Sequence, residues 1–264
     1  MYYSAQDHVF VICAYKENPF LPECIESLLS QKVKSNIIVV TSTPNDHINE
    51  LCQKNNLPLH INTGEKGMAH DRNFAFEICK TKKLITLAHQ DDIYEPDYLE
   101  LILKQINKSK KPLIAYTDYY EIRGDNKLTS NRILKIKRIM NFMFKFRFVQ
   151  SSKRFRRIIL AFGDPICCPS VTFALENLDI PLFDTSFKNG CDYKTWADIS
   201  KLKGEFIYIP ELLLGHRIYP DSATTENIGD KSRSNEDFIV ISSFWPGWIA
   251  KILSRFYRKA ERVS

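Results

Sequence analysis

The sequence predicts an α/β protein: a mostly parallel sheet with helices on both faces. Three observations carry that prediction. Over the first 120 residues, short apolar runs alternate with segments of helical spacing. The runs are suited to strands buried on both faces, as a parallel sheet requires. The residues after the runs (15–17, 41–43, 89–92 and Asp118) are polar-rich, and ligands of such sheets bind beyond the carboxyl ends of the strands.

Residues 8–14 (HVFVICA) read as the first strand. Residues 19–31 follow as a helix, with Leu21, Ile25, Leu28 and Leu29 at helical spacing and proline near the start. Residues 36–41 (NIIVVT) form a second strand, 46–55 a helix and 58–61 a short strand. Residues 67–79 are helical, 83–88 (KLITLA) a strand, 96–107 a helix and 112–120 a strand. After Glu121 the pattern breaks, and residues 129–162 mix bulky apolar side chains with a basic run. Order resumes at 166–173. A helix is expected over 191–201, strands over 205–209 and 211–217, and a basic amphipathic helix over 245–262.

With 264 residues, 44% hydrophobic and 26% charged, the chain is long enough for one large domain or one domain plus an appendage. No apolar run approaches the ~20 residues that span a bilayer, and the start lacks a signal-peptide layout, so a cytoplasmic protein is expected. Seven cysteines, an odd number without a Cys-x-x-Cys pair, fit a reducing compartment and small-hydrophobe roles. The net charge of +6 is uneven: residues 131–157 hold ten Lys/Arg and no acid, which suggests an acidic partner.

His89-Gln90-Asp91-Asp92 follows an apolar strand directly. Adjacent carboxylates repel unless a cation or hydrogen bonds compensate. One or two carboxylates together with substrate phosphates are how Mg²⁺ or Mn²⁺ is usually held. A solvated turn capping the next helix explains the dipeptide equally well when it is read alone.

The surrounding order of segments adds to it. Ala14-Tyr15-Lys16-Glu17 after the first strand, the 36–40 strand, the segment ending Arg72-Asn73-Phe74-Ala75, the 85–94 segment and Tyr116-Thr-Asp-Tyr-Tyr120 together resemble the nucleotide-binding half of family 2 glycosyltransferases. The likeness continues through Ile166-Cys-Cys-Pro-Ser170, Asn189-Gly-Cys-Asp-Tyr-Lys-Thr-Trp196 and residues 216–224, and so covers about residues 8–225. It implies the GT-A fold, a Rossmann-like mixed sheet. It also implies an inverting enzyme that moves a sugar from a nucleoside-diphosphate sugar, a UDP-sugar being favoured, to a hydroxyl of a saccharide. Bacterial surface-polysaccharide assembly is the expected setting, with a hexosyl or N-acetylhexosaminyl group transferred.

Carried over by position, the resemblance puts Ala14, Tyr15, Glu17, Thr41, Arg72, Asn73, Gln90, Asp91, Asp92 and Asp118 around the nucleotide sugar. A divalent metal, Mn²⁺ or Mg²⁺, is expected on Asp91 with His216 beside it. Asp192 is the expected base, taking the acceptor hydroxyl proton as that oxygen attacks the anomeric carbon. Trp196 and Arg217 fall on the acceptor side. Each has a plainer reading: Tyr15 as a loop aromatic, Arg72 as a helix-surface side chain, Asp192 as an ordinary first-turn acid. The sequence also departs from the family. His89 stands where the first Asp of Asp-x-Asp is common, Thr41-Ser42-Thr43 where an Asp often contacts the nucleotide base, and Cys191 where a Glu usually precedes the catalytic base.

The chain divides by this reading into a transferase domain over 1–230 (a nucleotide-sugar half 1–122 and an acceptor half 123–230 with a basic insertion at 129–162) and a helical segment over 231–264. Phe244, Trp245, Trp248, Ile249, Ile252, Leu253 and Phe256, with Lys251, Arg255, Arg258 and Lys259, suit an anionic membrane surface, which fits a peripheral enzyme on the inner face of the membrane and a lipid-linked acceptor. Packing of that helix on the protein's own core is the alternative. No nucleic-acid motif is present, and nucleic acid is not an expected partner. Two other functions compete: a sugar-nucleotide nucleotidyltransferase, which lacks its glycine-rich phosphate loop here, and a non-catalytic GT-A-like membrane protein, favoured by His89 and Cys191.

Overall fold

The computed structural model describes residues 2–220 and 231–261. Its parallel half is made by β1 (His8–Cys13), β2 (Asn36–Thr41), β3 (Leu59–Ile61) and β4 (Leu84–His89), in the order β3-β2-β1-β4. The connections carry α1 (Leu21–Leu29), α2 (Asp46–Lys54) and α3 (Met68–Ile78). Side-chain alternation along the strands splits the core in two. Val9, Val11, Ile85 and Leu87 face α3, whereas Phe10, Ile12, Leu84 and Ala88 face α1, α2 and α4 (Tyr98–Ile106).

Beyond β4 the sheet turns mixed. β8 (Val171–Ala174) lies antiparallel between β4 and β6 (Pro112–Arg123). β9 (Glu205–Arg217) runs parallel to β6, and its far end pairs with β5 (Ile93–Tyr94). β7 (Asn126–Leu128) hairpins onto β6. β8 and β9 thus complete the sheet begun by β1–β6.

The two strands expected over 205–217 are a single one. The register skips from Thr117↔Ile209 to Asp118↔Leu212, so Pro210 and Glu211 bulge out of the ladder. Proline has no N–H to donate, and a bulge accommodates it without ending the strand. Gly215 is required here: a Cβ would lie 2.7 Å from the Tyr120 ring on β6.

The basic stretch, without a clear period in the sequence, forms α5 (Arg132–Phe142), α6 (Arg147–Ser151) and α7 (Lys153–Leu160). Asn131 starts α5 by accepting the Leu134 N–H, and Ser152 starts α7 by accepting that of Phe155. α8 (Cys191–Ile199) precedes β9. The chain then continues through α9 (Lys231–Ser242) and α10 (Gly247–Glu261). In this C-terminal part Phe244, Trp245 and Leu253 pack on the core and Trp245 Nε1 donates to the Ala161 carbonyl, while Trp248 and Ile252 stay exposed. The apolar side chains expected to dip together into lipid are therefore divided between core and solvent. The side chain of Phe256 lies outside the described residues, as does the 221–224 part of the later segment.

Candidate functional site

The parallel strands β1, β2 and β4 end on one edge, so the loops after them meet. Gln90 joins two of them: its side chain accepts the Tyr15 N–H and donates to the Tyr15 carbonyl, both at 2.9 Å. Lys16, at φ +55°, holds an uncommon left-handed turn for a non-glycine residue and donates its N–H to Thr43 Oγ1 at 2.6 Å. Thr41 is buried, and its hydroxyl accepts the Thr43 N–H. The Tyr15 ring and Glu17 face solvent above this edge, while Ala14 is buried at the end of the strand.

Behind these loops lie the carboxylates. Asp92 is fully buried, and its Oδ1 accepts from His216 Nδ1 at 2.9 Å and from the Arg217 N–H at 3.0 Å. Burial would raise its pKa, but His216, together with these hydrogen bonds, holds it below the ordinary carboxylate value. His216 in turn is raised by Asp92 and Asp91 against the opposing effect of burial. Asp91 has the opposite fate: burial, and then the charge of Asp92, push it up to about 6. Tyr219 donates to Asp91 Oδ2 at 3.0 Å, and Arg217 Nε donates to the Asp91 carbonyl. Arg217 also pairs with Glu23 and stacks on Phe20, 4.0 Å from the ring centroid. It braces the acidic turn from behind.

Donor atoms of His89, Asp91 and Asp92 lie within 4.8 Å of one another. Asp92 Oδ2 is buried with no hydrogen-bond partner, an atom that a cation would satisfy. The site thus fits a divalent metal on the two carboxylates. His89 contributes little: its Nε2 accepts from Arg72 Nη2 at 3.0 Å, which leaves the proton on Nδ1. Burial and the Arg72 cation lower its pKa to about 4, so the ring is neutral. His216, expected beside Asp91 on the metal, turns one ring nitrogen to the other carboxylate of the turn. Its Nδ1 is engaged by Asp92, because β9 and the 89–92 turn pack side by side.

Arg72 bridges the two halves of the cleft. Buried on α3, it reaches His89 with one nitrogen and Cys191 Sγ with the other at 3.2 Å. It is therefore no helix-surface side chain. Through it the acidic turn faces the start of α8, where half-buried Asp192 lies in the first turn and accepts the Tyr193 N–H. The α8 approach is held by Glu236 of α9, whose carboxylate accepts the N–H groups of Lys188, Asn189 and Gly190 at 2.9, 2.9 and 2.6 Å.

Several expectations change at this level. Asn73 commits its amide to the 182–183 backbone, donating to the Phe183 carbonyl and accepting from the Leu182 and Phe183 N–H groups. Trp196 is fully buried and stacks on Phe173 at 5.6 Å, so it supports the core and cannot touch an acceptor. Asp118 is ion-paired with Arg138 of α5. Other residues escaped sequence reasoning. Asp71 ties Ser42 to Asn62 across the ends of β2 and β3. Asp164 is pushed up to about 8 by burial and by Asp192 nearby. Its signal was present in the chain, since it is the first acid after residues 126–163, which hold none. Glu236 left no such sign on a helix of mixed composition.

A sequence profile described as "Glycosyl transferase family 2" matches residues 9–172, more than half of the chain. No curated protein matches at a significant level. Among solved structures, residues 1–349 of TarS from S. aureus align at 14% identity and TM-score 0.62, over 88% of this chain and 64% of that one. The chain spans 42% of the longer TarS structure. Mannosyltransferase PcManGT from Pyrobaculum calidifontis, solved with GDP-Man and Mn²⁺, aligns at 15% identity and TM-score 0.69, over 99% of this chain and 74% of that one. Glucosyl-3-phosphoglycerate synthase from Mycobacterium tuberculosis, with Mn²⁺ and UDP-glucose, aligns at 12% identity and TM-score 0.58, over 88% and 77%. These likenesses show the GT-A fold. By the profile match and the fold together, the chain belongs to glycosyl transferase family 2.

Proposed function

We propose that this protein transfers a sugar from a nucleoside-diphosphate sugar, a UDP-sugar being favoured, to a hydroxyl of a saccharide acceptor with inversion. One observation carries the reading: an acidic turn with a buried oxygen that accepts no hydrogen bond, Asp92 Oδ2, is joined through Arg72 to the start of α8, where Asp192 lies. Asp91 and Asp92 would hold Mn²⁺ or Mg²⁺, and the solved relatives that carry Mn²⁺ with GDP-mannose or UDP-glucose support both the metal and the donor class. Such a cation neutralises charge on a leaving diphosphate.

The chain's own residues supply the rest. The Tyr15–Glu17 and Thr41–Thr43 loops, locked by Gln90 and Lys16, form the rim for the nucleotide. Asp192, in the first turn of α8, accepts the proton of the acceptor hydroxyl. His216 and Arg217 keep Asp92 charged and in place. A lipid-linked acceptor in surface-polysaccharide assembly, reached by a peripheral enzyme at the inner membrane face, fits the basic insertion. No helix among the described residues is long and apolar enough to cross a membrane.

Titration with UDP-, GDP- and TDP-sugars, with and without Mn²⁺, tests the reading. Metal-dependent binding of one nucleotide class, followed by transfer, is expected. Absence of any metal-dependent nucleotide binding overturns it and leaves the non-catalytic alternative.

A further inference from the structure

α5, α6 and α7 fold from the stretch with ten Lys/Arg and no acid. Their inner positions are anchored: Leu134, Phe144, Val149 and Leu160 are buried, and the Arg156 guanidinium donates to the carbonyls of Gln150, Ser200 and Leu202. What they leave outside is a connected aromatic surface. Phe142, Phe146, Phe148 and Phe155 are 50%, 44%, 59% and 42% exposed. Their rings follow one another at centroid separations of 6.0, 5.9 and 5.8 Å. Ile139 and Ile158 are more than half exposed as well. Phe155 and Ile158 lie at helical spacing on α7, and Phe162, just past its end, meets Trp245 at 5.6 Å. Exposed Lys135, Lys145, Lys153 and Arg154 lie on the same segment. Singly exposed apolar side chains are ordinary, but a contiguous apolar patch marks an interaction site.

We propose that this aromatic and basic face of α5–α7 docks the protein on an anionic lipid bilayer. The rings seat at the boundary of headgroups and acyl chains, and the cations face lipid phosphates. Charge complementarity selects this occupant. A second copy of the chain would set the same cations against each other, and nucleic acid would gain nothing from Ile139 and Ile158. The inner side of α5 places Arg138 on Asp118 and Lys137 5.5 Å from the Tyr119 ring centroid. The helix that meets lipid outside therefore lines the cleft inside, and a lipid-linked acceptor would reach the site along it. That consequence rests on the proposed acceptor; the docking does not.

The test is co-sedimentation of the full chain with vesicles of phosphatidylcholine alone or mixed with phosphatidylglycerol, without donor or metal, so that its failure is separate from failure of the transferase reading. Binding is expected only to the anionic vesicles and falls as salt rises. Lys145→Gln with Lys153→Gln should weaken it by about 25-fold, roughly fivefold for each cation removed. Phe148→Ser with Phe155→Ser should weaken it by about tenfold. Both pairs alter exposed side chains, and thermal unfolding checks that the fold is kept; if the phenylalanine pair does not fold, the lysine pair decides. Equal binding to neutral vesicles, no binding to either, or wild-type binding by the lysine pair overturns the proposal. A dimer or a nucleic-acid complex dissolved by these substitutions, with no vesicle binding, overturns it too. Loss of binding in Trp248→Ser with Ile252→Ser alone would move the docking to the C-terminal segment and equally sink it.

Discussion

Glu236→Gln isolates the contact between the C-terminal helices and the α8 approach. The wild-type carboxylate accepts the Lys188 N–H through Oε1 and the Asn189 and Gly190 N–H groups through Oε2. Glutamine keeps the shape but has one acceptor oxygen, and its NH₂ must face an N–H group on the other side. At least one hydrogen bond to a charged group is lost, each worth about 1.5–3 kcal/mol, and a backbone N–H is left without a partner. A net loss of roughly 2–3 kcal/mol follows, or a fall in Tm of about 5–10 °C for a chain of this size. The loss falls on residues 188–190, immediately before Asp192. A displacement of Asp192 by about 1 Å lowers kcat on the order of 10²-fold. Donor affinity should hold, because Glu236 touches none of the strand-end loops. Differential scanning fluorimetry and initial-rate kinetics read both effects. Wild-type Tm and kcat in the variant, or a loss carried wholly by donor affinity, refute the reasoning.

Three further outcomes are expected. Asp192→Asn should lower the transfer rate by about 10²–10⁴-fold while donor-nucleotide binding by calorimetry stays intact; transfer at the wild-type rate removes Asp192 from its role. Asp91 ionises at about 6, so it is protonated below that value and a cation competes with the proton there. Mn²⁺-dependent UDP binding should therefore strengthen as pH rises through about 6, and a flat profile counts against Asp91 as ligand. Asp164 titrates at about 8 in the fold, above its value in the unfolded chain, so the folded state retains the proton longer and stability is lost as pH rises toward 8. Asp164→Asn escapes that loss, and its Tm advantage over the wild type should widen between the usual carboxylate range and about 8; a constant difference would reject the assignment.

Much of the framework was legible in the chain because its signals are local. Apolar runs such as 8–14 and 36–41, proline near the start of α1 and the polar residues after each strand specify a parallel sheet and the edge where ligands bind. The acidic turn was legible for the same reason: Asp91 and Asp92 follow a strand directly in sequence. The single β9 was not, since only pairing with β6 carries it across Pro210. Neither were α5–α7, whose inner face is defined by what they cover.

The amino-acid sequence by itself determined the fold class, the position of the acidic turn and the identity of the residues available for chemistry. Tertiary structure decided their partners. It took Trp196 into the core, turned Asn73 to the 182–183 backbone, paired Asp118 with Arg138 and gave His216 to Asp92. It brought Glu236 to residues 188–190 and joined Arg72 to both His89 and Cys191. The physical reason is separation along the chain. His216 and Asp92 lie 124 residues apart, and Arg72 and Cys191 119 apart. Partners so distant are chosen by the packing of whole elements, while a strand, a cap or a turn is chosen by its neighbours.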